Sequence, residues 1–339
     1  MERLHPATMS HRGAALDRGL WVVALGFVAI EAAWAPGLTP LHLAVAAVLF
    51  LALGLPHGAL DAWIWRRALP GAPRALFFAG YFALMGLVVG AWVASPRFAL
   101  WAFLLLAVHH FGEADIVAAH ARPGERALLR CTRGALVVGV PIALHPDAVQ
   151  PVVSAMGVPG FGFDSPGSWR FAAIMMAAHL AALAGTRALP VRSRMHEAAQ
   201  ALVLATMFAV LHPLLSFALY FTLWHALGHL NELRTRWRAS ARPRRLVVRG
   251  APFAVAATVG LFAFVEAAPG PMNASVWAGR ALVVTSVLTL PHALLVTLMR
   301  SGALGSVARR LSASRFAAGP GRRDRSTWIG RLRLGDASR

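Results

Sequence analysis

Histidines are the residues in this chain best suited to chemistry. There are fourteen among 339 residues. Six lie in polar motifs set inside otherwise apolar stretches. His57 sits in Gly54-Leu55-Pro56-His57-Gly58-Ala59-Leu60-Asp61, and His109 and His110 open His109-His110-Phe111-Gly112-Glu113-Ala114-Asp115. His225 and His229 belong to His225-Ala226-Leu227-Gly228-His229-Leu230-Asn231-Glu232, and His292 follows Pro291. Spacing by four puts His225 and His229 a turn apart on one helix face, where two imidazoles can hold one ion. Neutral imidazole suits iron, zinc, copper or nickel. The single cysteine, Cys131, lies away from these motifs, which argues against a thiolate site. Ala226 follows His225, so the glutamate of a zinc protease motif is missing. An all-histidine Fe(II) site with open positions suits oxygen activation. Asp61, Glu113, Asp115 and Glu232 lie near these histidines and are candidates to accept the second ring N–H, which orients a ligating imidazole. The competing reading is a buried polar network or proton path that only packs the helices.

Which elements position these groups follows from composition. The chain is 58% hydrophobic and 14% charged, against roughly 25% charged for soluble domains. Disorder and a disulfide scaffold are excluded by the same numbers. The fold class expected is all-α: a polytopic membrane helix bundle. Apolar stretches long enough for a bilayer lie near 20–36, 41–65, 75–94, 98–119, 128–145, 170–185, 198–212, 214–233, 250–267 and 280–299. The formal charge of +19 comes from 33 arginines and no lysine. With ten alternating crossings and the N-terminus inside, all but Arg97, Arg170 and Arg280 fall on the inner side, as cytoplasmic loops favour. Both termini are therefore expected in the cytoplasm, in a multi-pass protein of the cell membrane. Residues 1–19 read as a cytoplasmic segment, 20–300 as the catalytic bundle and 301–339 as a disordered tail. That tail, rich in Arg, Gly and Ser, is expected to touch anionic lipid rather than nucleic acid.

The topology also aligns the histidines. Their helices, the second, fourth, eighth and tenth, all run from outside to inside. His57, His110, His225, His229 and His292 lie about four to nine residues from the inner ends, roughly 6 to 14 Å deep at 1.5 Å per residue. Imidazoles on separate helices at one level can converge on an ion, and intramembrane ionisable groups are usually functional. Pro56 and Pro291 directly precede histidines and can kink their helices to open space there. His5, His11, His120, His145 and His196 read as surface residues, and His42, His179 and His212 as hydrogen-bonded within the bundle.

Four pieces, Gly54–Asp61, His110–Asp115, Trp224–His229 and Pro291-His292, occur in an order that resembles the Brp/Blh family of integral-membrane β-carotene 15,15′-dioxygenases. They span the chain from the second helix to the tenth. The resemblance implies an Fe(2+) site ligated by His57, His110, His225 and His229, with these four as the catalytic residues through iron. It leaves His292 as a ligand, a supporting donor or part of the cavity wall, and adds His109, Asp61, Glu113, Asp115 and Glu232 as possible ligands or supports. It implies cleavage of the central double bond of β-carotene by O2 to two all-trans-retinal molecules, with lipid as substrate reservoir and hand-off of retinal to a rhodopsin. Phe111, Phe221 and Trp224 are the expected walls of the substrate slot. His109 stands where an aromatic is expected, and Ala226 and Gly228 are small for their motif. These departures bear on substrate identity more than on iron. A non-catalytic carotenoid- or retinal-binding assembly protein and a His-lined transporter are the alternatives. The first predicts binding without aldehyde, the second flux without stoichiometric iron.

Overall fold

A computed structural model describes residues 11–34, 39–116, 121–162, 167–187, 189–237, 243–267 and 273–307. Among these, every regular element is helical. Helix α1 covers His11–Trp34. The next element is irregular: α2, Pro40–Leu49, runs into a π-helical turn over Phe50–Gly54, then the single turn α3, Leu55–Gly58, and α4, Asp61–Ala68. Helices α5 (Arg74–Ala94), α6 (Pro96–Asp115), α7 (Pro123–Leu144), α8 (Pro146–Ala155), α9 (Trp169–Gly185) and α10 (Val191–Val210) follow. A second irregular element comprises α11 (Pro213–Leu219), a π-helical turn over Tyr220–Ala226 and α12 (Leu227–Arg236). Helices α13 (Pro243–Ala267) and α14 (Ala274–Arg300) complete the bundle.

Local signals set the helix starts. Thr39 and His42 form a reciprocal capping box at α2, and Ser95 and Asn273 accept from Phe98 N and Val276 N. Proline occupies the first positions of α2, α6, α7, α8 and α11, where its missing N–H costs nothing.

Each of the ten apolar stretches coincides with a helical segment, although α1, α7, α10, α13 and α14 start earlier and α6 ends earlier than hydropathy indicates. Helix α8 was not among them, because its ten residues are too short to register as a crossing. Among the described residues, five segments are long and apolar enough to cross a membrane: Pro40–Ala68, Arg74–Ala94, Pro123–Leu144, Val248–Ala267 and Ala274–Arg300. The bundle exterior agrees with lipid contact. Val93, Leu105 and Phe82 are 81%, 68% and 62% exposed, an apolar surface unusual for a monomer in water. Residues 1–10 of the expected cytoplasmic segment and 308–339 of the expected tail lie outside the described residues, as does His120. Residues 303–307 are helical, and Leu304 packs into the core with Met299.

Helices α6 and α7 pack closely against each other. A Cβ on Gly112 would overlap the Arg130 carbonyl, and one on Gly134 would overlap the Val108 carbonyl, so each glycine admits the opposite backbone. Two ion pairs lock the same interface, one half-buried and one buried: Arg130 to Glu113 at 3.1 Å and Arg133 to Asp115 at 2.9 Å.

Candidate metal centre

The two π-helical turns and the proline in α14 bring the histidines together. A π turn widens a helix by one residue and re-aims the side chains beyond it; such turns are frequent at functional sites. His57 follows the first by three residues, His225 lies within the second and His229 follows it. Pro291 cannot donate to the carbonyl one turn earlier, and His292 is the next residue.

His57, His110, His225, His229 and His292 come from α3, α6, the second π turn, α12 and α14, and all are 2 to 6% exposed. His57 has its ring centre 5.1 Å from His225, 6.0 Å from His229 and 4.9 Å from His292. His110 lies 4.8 Å from His225 and 5.1 Å from His292, and His229 lies 5.6 Å from His292. One ring nitrogen from each of His57, His225 and His292 falls within 4.8 Å of the other two. His110 Nε2 and His225 Nε2 face each other at 3.2 Å. Two nitrogens bound to one ion at about 2.1 Å would stand about 3.0–3.4 Å apart.

The hydrogen-bond pattern fits a cation. His57 Nδ1 pairs with the Gly54 carbonyl, and His292 Nδ1 lies 2.8 Å from Asp61 Oδ1. Each pairing fixes the tautomer with the N–H on Nδ1 and leaves Nε2 as a lone-pair donor. Among the described residues, His292 Nε2, His229 Nε2, His110 Nδ1 and His225 Nδ1 have no hydrogen-bond partner although they are buried. Buried polar atoms rarely go unsatisfied. A metal ion would satisfy the open Nε2 of His229 and His292 and the facing Nε2 atoms of His110 and His225, and an all-imidazole set suits a borderline ion such as Fe(II).

The candidate supports divide in two. Asp61 reaches the cluster, and Tyr81 O–H donates to its other oxygen at 3.0 Å. Glu232 stands 3.9 Å from His229 Nδ1, too far for a hydrogen bond, and is instead held by Arg300 at 2.7 Å. The other three are placed elsewhere. Glu113 is consumed by Arg130 and by Thr297, whose O–H donates at 2.6 Å. Asp115 binds Arg133 and accepts from Tyr220 O–H at 3.0 Å. His109 has a side chain 57% exposed, and its Nε2 lies 4.0 Å from Glu113. The physical reason is helical geometry: His109 precedes His110 by one residue, about 100° around α6, so both cannot face the centre.

Tyr81, Gly54 and Gln200 were not singled out by sequence reasoning. Gln200 accepts from Arg133 at 3.2 Å. A signal for the tyrosines did exist. The chain has two tyrosines against 18 phenylalanines, and each hydroxyl is spent on a buried aspartate.

The histidines border an apolar cavity of about 630 Å³, within the usual range for ligand sites. His57, His110, His225 and His292 are in its wall. Phe103, Phe111, Phe217 and Phe221 line it as well, and the Phe221 ring stacks on His225 at 5.5 Å. Trp224 does not line it, although it is buried in the same hydrophobic cluster as Phe111 and Phe221. Buried Leu100, Val153 and Met156 line one part, whereas Phe82 and Phe253 are 62% and 42% exposed. The cavity therefore opens on the outer surface between α5 and α13.

Comparison with known proteins gives one family. Residues 48–300, which hold all five clustered histidines, match the family described as Beta-carotene 15,15'-dioxygenase. The chain is 30% identical over 325 residues to the probable beta-carotene 15,15'-dioxygenase Blh of Halobacterium salinarum, covering 82% of this chain and 91% of that one. It is 40% identical over 83 residues to a beta-carotene 15,15'-dioxygenase of an uncultured marine bacterium, covering 23% of this chain and 30% of the relative. No solved structure matches.

Proposed function

This chain belongs to the beta-carotene 15,15'-dioxygenase family, and on that premise we propose that it is an iron-dependent dioxygenase of the cell membrane. Its substrate is β-carotene, cleaved with O2 at the central 15,15′ double bond to give two all-trans-retinal molecules. The observation that carries this reading is the set of five buried imidazoles, four of which, His57, His110, His225 and His292, wall an almost wholly apolar cavity.

His57, His110, His225 and His229 would hold the ion, and His292, braced by Asp61, offers a fifth nitrogen. Bound Fe(2+) would supply the one-electron chemistry that O2 needs to react with a closed-shell alkene. The protein's own part is preorganisation. Gly54 and Asp61 keep Nε2 of His57 and His292 free of protons. Phe103, Phe111, Phe217 and Phe221 give a polyene apolar faces to lie against and exclude water. The opening between α5 and α13 admits a substrate dissolved in the bilayer from the side. Ten crossings with both termini cytoplasmic remain the topology that the arginines favour. A rhodopsin in the same membrane is the proposed acceptor of retinal.

The test is retinal formation by membranes containing the protein, supplied with β-carotene, Fe(II) and O2, with His225→Ala as control. Retinal from the parent chain alone ties central cleavage to this cluster. Bound iron without aldehyde moves the substrate elsewhere, and neither iron nor aldehyde overturns the proposal.

A further inference from the structure

A second cavity, of about 470 Å³, lies beside the first and shares Ala62, Phe77, Phe78 and Phe253 with it. Its character is different. Four arginines line it: Arg66 and Arg67 from the last turn of α4, Arg74 at the start of α5 and Arg249 near the start of α13. All four are exposed, at the same end of the bundle. No carboxylate is among the lining residues. Among the described residues, no acidic side chain forms a salt bridge with Arg66, Arg74 or Arg249. Arg74 also sits on the positive end of the α5 dipole, which favours an anion there. The remaining wall is Trp63, Trp65 and the shared phenylalanines; the indole N–H groups of Trp63 and Trp65 find no acceptor among the described residues. The guanidinium groups of Arg66, Arg74 and Arg249, from three helices, repel one another unless an anion is shared between them, and guanidinium is suited to phosphate through paired N–H donors.

We propose that this pocket binds the phosphate group of an anionic phospholipid, with the acyl chains laid along the apolar surface of Phe77, Phe78 and Phe253. The adjoining surface decides for a lipid over a small anion. Arginines and apolar rings are continuous here, as a headgroup and its chains require, and Phe78 stacks on Phe253 at 6.1 Å to bridge α5 and α13. The lipid would thus sit at the opening of the apolar cavity without touching the histidines.

The experiment uses the full chain in a neutral detergent and follows its melting temperature on titration with phosphatidylglycerol, phosphatidylcholine or inorganic phosphate. Phosphatidylglycerol is expected to give a saturable rise that phosphatidylcholine does not. In the triple variant Arg66→Gln, Arg74→Gln, Arg249→Gln the half-maximal concentration should increase about 100-fold, since each charge near a lipid surface is worth about a fivefold change. The matching triple lysine variant keeps the charges but not the paired donors and should respond between the parent and the glutamine variant, which separates loss of binding from loss of fold. Equal response of parent and glutamine variant overturns the site. Equal response to phosphatidylcholine overturns the charge argument, and a full effect from inorganic phosphate alone overturns the lipid as ligand.

Discussion

His292 Nδ1 and Asp61 Oδ1 lie 2.8 Å apart although 231 residues separate them in the chain. The bond ties α14 to the start of α4 and dictates which nitrogen of His292 faces His57. Carboxylate partners of this kind typically affect metal affinity or activity by about 10–100-fold. Asp61→Ala is therefore expected to lower iron content or retinal formation by about that factor. Tyr81→Phe, which removes only the donor to the far oxygen, should cost less than Asp61→Ala. Iron analysis beside product assay distinguishes the two; an Asp61→Ala chain with normal iron and normal turnover refutes the role.

Metal removal gives a direct test of the cluster. Chelation under anaerobic conditions should abolish aldehyde formation, and Fe(II) should restore it, while Zn(II) should occupy the site without turnover. His57→Ala, His110→Ala and His225→Ala are each expected to lose more than about 100-fold in activity, exceeding the effect of a supporting residue. His109→Ala should change activity little, since its ring is exposed and turned from the centre.

The Arg133–Asp115 pair predicts a stability effect rather than a catalytic one. Arg133 is fully buried, with Asp115 at 2.9 Å and Gln200 at 3.2 Å as partners. Removing one partner strands the other charge, a loss of about 3–5 kcal/mol. Asp115→Ala should thus lower the melting temperature sharply in detergent. Replacing both residues with apolar ones of similar size should recover much of it. A single and a double variant that melt alike would refute the argument.

The α6–α7 contact depends on two side chains that are absent. Gly112→Ala and Gly134→Ala each force a methyl group against backbone of the facing helix, and overpacking of this kind costs about 1–3 kcal/mol. Because α6 carries His110, Gly112→Ala should reduce iron content as well as stability. Gly80→Ala, with open space around its position, is the matched control and should behave like the parent chain.

Much of this molecule is legible in the order of its residues. Hydropathy and arginine placement marked out helices because a backbone surrounded by lipid must bond to itself. The histidine motifs stood out because polar residues inside apolar stretches are costly and so rarely incidental. The five histidines that converge were all among those singled out, and the small α8 was missed for its length alone.

Other features depended on distance through space. Which carboxylate braces which imidazole follows from helix rotation, so Asp61 reaches His292 while Glu113 and Asp115 turn to Arg130 and Arg133. The π-helical turns at Phe50–Gly54 and Tyr220–Ala226 carry no strong composition signal, because they arise where packing is better served by one extra residue. Trp224 and Phe221 looked equivalent in sequence and share one hydrophobic cluster, yet only Phe221 lines the cavity. Residue types and spacings determined that the chain would be helical, apolar and rich in buried imidazole. Only the tertiary structure decided which nitrogens meet, since facing is set by the mutual rotation of helices far apart in the chain.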